Sequence, residues 1–101
     1  MPDILTNAKA TGIGTTPDTV YTAPAATTST LLNYNIANLT AAQINVDVQL
    51  AGVYLIKGLP IPAGSAYYLD TKEVMLTGET TVITSDTAAS VDVFLSILEQ
   101  S

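Results

Sequence analysis

The residues of this chain that could do chemistry are nine carboxylates, three lysines and the hydroxyls; there is no histidine, cysteine, arginine or tryptophan. Two aspartates stand in matching settings, Val46-Asp47-Val48 and Val91-Asp92-Val93, and paired carboxylates can hydrolyse a glycosidic bond as acid and base. Each lies between valines, however, and a sugar cleft without tryptophan or arginine is poorly equipped, so solvated sheet-face residues are the plainer reading. Asp70 with Glu73 could contribute to a calcium site, but the alternating Asp or Asn ligands and turn glycine of such a loop are missing. Nucleophilic triads of the Ser-His-Asp or Cys-His kind, and the usual zinc sites, are excluded by composition. Gly12-Ile13-Gly14 is a two-glycine turn; a phosphate cradle needs a strand before it, a helix after it and usually a lysine. Asn38-Leu39-Thr40 fits the N-glycosylation pattern and, without a secretory signal, reads as coincidence. No catalytic residue, metal ligand or cofactor is expected.

The elements that must position these residues have a period of two. Ile44-Asn45-Val46-Asp47-Val48-Gln49-Leu50 alternates strictly, which puts four apolar side chains on one face of a strand and three polar ones on the other. Residues 29 to 38 repeat the pattern, with Leu32, Tyr34 and Ile36 on one face. The short 39 to 43 connection predicts that these two strands pair as a hairpin. Further strands are expected at 4 to 10, 18 to 23, 53 to 57 (ended by Gly58), 66 to 69, 74 to 76, 81 to 84 and 90 to 98. Eight or nine short strands at spacings near ten residues predict an all-β chain, a single-domain antiparallel β-sandwich of jelly-roll or Greek-key kind. Residues 1 to 17 read either as an edge strand of that domain or as an arm that pairs with a neighbouring subunit, and residues 18 to 101 as the sandwich. A weak internal echo, with Pro24-Ala25-Ala26-Thr27 resembling Pro62-Ala63-Gly64-Ser65, suggests two similar half-sandwiches.

Composition narrows the function. The 101 residues are 48% hydrophobic, 12% charged and carry a net charge of -6, and 16 are threonine, which suits the wet face of a sheet. Three lysines, Lys9, Lys57 and Lys72, cannot form the cationic surface that nucleic acid requires, so no nucleic-acid partner is expected. No apolar run approaches the roughly 18 residues of a membrane span, and no basic segment precedes an apolar one, so neither membrane nor secretory route is expected. So many apolar residues among so few charges predict patches or edges that a partner covers. Tyr67 and Tyr68 fit either half-buried sandwich positions or an interface.

The ordered set Asn7 to Thr16, Thr19 to Ala25, Asn35 to Asn38, Val46 to Val48, Leu59 to Ser65, Ser90 to Val93 and Leu98-Glu99 resembles a family of small virion structural proteins of tailed bacteriophages. The resemblance covers nearly the whole chain, although Gln49-Leu50-Ala51-Gly52-Val53 is more compact than the matching segment of many relatives. It implies an all-β, non-enzymatic particle component without cofactors: a capsid decoration or cement protein. Such a protein would be a homo-oligomer, a trimer being one form, that binds the major capsid protein or other virion proteins and is assembled in the host cytoplasm. A tail, neck or fibre-associated structural or host-binding module is the alternative. Ile4, Leu5, Tyr54, Tyr67, Tyr68, Phe94 and Leu98 are the expected interface residues.

Overall fold

A computed structural model describes residues 3–100. Eight strands follow one another: β1 Asp3–Ile13, β2 Asp18–Thr22, β3 Thr28–Asn38, β4 Ile44–Leu50, β5 Val53–Ile61, β6 Ala66–Met75, β7 Thr80–Ser85 and β8 Val91–Gln100. They form two antiparallel four-stranded sheets, in the orders β1-β8-β3-β6 and β2-β7-β4-β5. The chain is therefore an all-β sandwich with jelly-roll connectivity. An eleven-residue strand spans about 36 Å, so the long strands run along the 45 Å axis of a body measuring 45 × 20 × 19 Å.

The alternation seen in the sequence builds the core directly. Ile44, Val46, Val48 and Leu50 of β4 point into the core from one sheet and Val91, Val93, Leu95 and Ile97 of β8 from the other, all eight buried. Filling this interior with Val, Ile and Leu stabilises the fold by about 1.5–3 kcal/mol for each fully buried side chain. Tyr34 and Ile36 join them as expected, but the third residue from β3 is Leu31 and not Leu32. Leu32 is an extra residue in the pairing with β8, where Leu31 opposes Ile97 and Asn33 opposes Ser96. This bulge reverses which residues point inward, as one added residue must in a period of two.

The hairpin expected between β3 and β4 does not form, because the two strands lie in different sheets. Their apolar faces meet across the core instead of lying side by side. Asn38 makes the crossing possible. It is buried, its Nδ2 donates to the carbonyls of Ala42, Ile61 and Pro62, and its Oδ1 accepts from the amide and hydroxyl of Thr40. One amide side chain thereby ties the exposed connection to the carbonyls of Ile61 and Pro62 at the end of β5.

Two expected breaks are also absent. Gly58 lies within β5, which continues through Leu59 and Pro60 to Ile61, and residues 66 to 75 form one strand across Asp70-Thr71-Lys72. The 53 to 57 stretch, apolar on both faces and so expected to be covered on both sides or to lie at a subunit contact, is the exposed beginning of β5, an edge strand. Residues 3 to 13 lie along β8 as the edge strand of their sheet, from Asp3 opposite Gln100 to Ile13 opposite Val91. On this side the sandwich is closed by Tyr21 of β2, whose hydroxyl meets Ser29 of β3 and donates to Glu99 of β8 in the other sheet.

Candidate functional site

Asp47 and Asp92 lie on the outer faces of opposite sheets, so they cannot flank one glycosidic bond. Their shared task is local. Asp47 Oδ1 accepts the amide of Gly58 at 2.7 Å, and Asp92 Oδ1 accepts that of Gly12 at 3.0 Å. Both glycines sit at irregularities in the neighbouring edge strand, with φ of 69° and 63°, where an L side chain is strained. Each carboxylate thus holds an edge-strand bulge whose amide cannot join the regular ladder.

The remaining candidates resolve in the same way. Asp70 points outward from β6, while Glu73 is half-buried on its inner side and accepts from the Thr71 hydroxyl. No group of three or more His, Cys, Asp or Glu residues suited to a metal occurs among the described residues. Gly14 packs where a Cβ would lie 3.1 Å from the Ala89 amide nitrogen, which gives the two-glycine turn a packing reason. The Asn38 side chain is consumed at the crossover between the sheets and is no glycosylation acceptor in the folded protein.

The tyrosines divide into structural and exposed residues. Tyr34 is in the core, and its ring stands 6.4 Å from that of Tyr67 at a tilted angle of 58°. Burial pushes the Tyr34 hydroxyl up to about 12. Tyr21 is pushed up to about 12 by burial first and then by Glu99. Tyr54 lies under Lys57, whose Nζ is 4.6 Å from the ring centroid and 3.2 Å from Asp47 Oδ2. The lysine is held above its ordinary value by that hydrogen bond and by the charge of Asp47. Tyr68 is exposed, and its hydroxyl is raised by Asp70 beside it.

Of the expected interface residues, Ile4, Leu5, Tyr54, Tyr68 and Phe94 are exposed, Leu5 most of all at 75%. Tyr67 and Leu98 are half-buried, and Tyr67 packs against the core. The period of two separates Tyr67 from Tyr68: they lie on opposite faces of β6. Val53, Val74 and Leu76 are further exposed apolar residues.

On the outer face of the first sheet, Lys9, Phe94, Asn35 and Tyr68 form a row across all four strands. Phe94 is 44% exposed and borders two shallow grooves. The first, about 290 Å³, includes Lys9, Asn35 and Asp92; the second, about 360 Å³, includes Leu5, Leu32 and Ser96. The next row but one sets Leu5, Leu98, Thr30 and Val74 side by side. The arrangement offers apolar and amide contacts on the outer sheet face, with Lys9 and Asp92 as the charged groups beside Phe94.

No family model and no curated protein matches the chain. Among solved structures it is similar to the native structure of a family 35 carbohydrate binding module from Clostridium thermocellum. The TM-score is 0.45 and the identity 11%, over 94% of this chain and 90% of that one.

Proposed function

We propose that this chain is a non-enzymatic structural protein of the tailed-bacteriophage virion, a capsid decoration or cement protein that braces the head shell through subunit contacts. The observation that carries the reading is the exposure of Leu5, Val53, Tyr54, Tyr68, Val74 and Phe94 around a core that is already filled. Large apolar side chains in that number are stabilised when a partner surface removes them from water. The resemblance of the ordered sequence motifs supplies the virion, and the major capsid protein or a further copy of the chain supplies the partner surface. The jelly roll is shared by viral capsid proteins and lectins, so the fold accommodates the role while the surface argues it.

The second reading is a tail, neck or fibre-associated module that binds the host. It is favoured by one feature, the row of Lys9, Phe94, Asn35 and Tyr68, in which aromatic and amide groups share one sheet face. Reconstruction of intact particles with the chain labelled separates the two. Many copies over the head are expected; a few copies confined to the tail would replace the first reading with the second.

A further inference from the structure

β6 is the ten-residue edge of its sheet, paired with β3 on one side and open on the other. Tyr68, Asp70, Lys72 and Val74 point outward and are exposed, while Tyr67, Leu69, Thr71, Glu73 and Met75 point inward. Neither Asp70 nor Lys72 forms an ion pair among the described residues. An open edge carries unpaired backbone donors and acceptors that can template a further strand, and a charge there opposes strands that leave it unmatched.

The sequence of β6 matches itself. Antiparallel pairing of two copies about Thr71 sets Asp70 of each against Lys72 of the other and Tyr68 of each against Val74 of the other. Outward residues then meet outward residues, as continuation of one sheet requires. Sliding by two residues in either direction puts Asp70 or Lys72 against its own copy, so like charges oppose one another. The other long edge of this sheet, β1, is less suited: the register that matches Asp3 with Lys9 leaves the exposed Leu5 against Asn7. In the second sheet β2 has only five residues, and β5 contains Pro60 and a lysine already bound to Asp47.

We propose that β6 pairs antiparallel with β6 of a second copy about a two-fold axis at Thr71, joining two four-stranded sheets into one of eight strands. The pairing deepens the reading of the chain as a self-associating structural protein and rests on that part of it. Charge does the selecting, because the same two residues that match in this register repel in its neighbours.

Sedimentation across a concentration series tests it. The native chain should form a dimer, and Asp70→Lys or Lys72→Asp alone should weaken it at least about tenfold, since two like-charge contacts replace two opposite ones. The double exchange D70K/K72D should restore it, which a general loss of folding would not do. Thr71→Cys, in a chain with no other cysteine, should give a disulfide-linked dimer on mild oxidation, because opposed residues lie about 4.5–5.5 Å apart at Cα. Thr6→Cys on β1 should stay reduced. A native chain that is monomeric at micromolar concentration would overturn both this pairing and the self-association beneath it. A trimer, an oligomer indifferent to the charge reversals, or one linked through Thr6→Cys would overturn the β6 pairing alone.

Discussion

β4 and β8 carry the same tripeptide, lie next to the edge strand of their respective sheets, and hold a glycine in that edge by the same hydrogen bond. Inward, the two are equivalent: Val46 and Val48 face the core from one side, Val91 and Val93 from the other. Outward, they differ. Asp47 also binds Lys57, which lies over Tyr54, whereas Asp92 lines an open groove with Phe94, and Lys9 there has no ion pair among the described residues. One structural device is used twice, and what surrounds it has diverged. The common part belongs to the fold, so the working surface is to be sought where the two differ.

Matched substitutions can break or sharpen this comparison. The largest effect should come from the core. Val46→Ala and Val91→Ala should each cost about 2 kcal/mol, read as a shifted urea midpoint at constant slope. Clearly unequal losses would break the inward equivalence. Next come the carboxylates: Asp92→Ala should cost about 1 kcal/mol, and Asp47→Ala slightly more because it also frees Lys57. Equal costs would mean that Lys57 contributes nothing. Gly12→Ala and Gly58→Ala should both cost about 1 kcal/mol through left-handed backbone strain alone. A Cβ meets nothing within 4 Å at either position, so thermal unfolding should lose the same amount in both variants. The smallest effect is Lys57→Met, a barely shifted urea midpoint whose shift vanishes at high salt.

The existence of most strands was legible in the sequence because period two survives wherever one face is buried. Sheet membership was not. Residues 29 to 38 and 44 to 50 show the same pattern whether their apolar faces lie side by side or opposite each other, and the deciding contacts run through Asn38 to carbonyls up to 24 residues away. Gly58 looked like a strand end because its tolerance of positive φ is visible in the sequence, while the Asp47 oxygen that lets the strand continue is not. Leu32 took the place of Leu31 for a similar reason: a bulge shifts the alternation without any residue type that announces it. Of the surface, Leu5, Tyr54 and Phe94 were readable as excess apolar residues. Tyr67 was expected at the interface together with Tyr68, although neighbours on one strand point to opposite faces, and it packs against the core instead.

The pairing of Asp3 with Gln100 has a practical side. Asp3 and Gln100 lie at the same end of the 45 Å body, so cargoes fused at both would be displayed together. A short linker could also join those residues, with new ends opened at Ala63-Gly64, in the turn beside Asn38 at the far end. Such a circular permutant would keep every strand intact and point its attachments in the opposite direction.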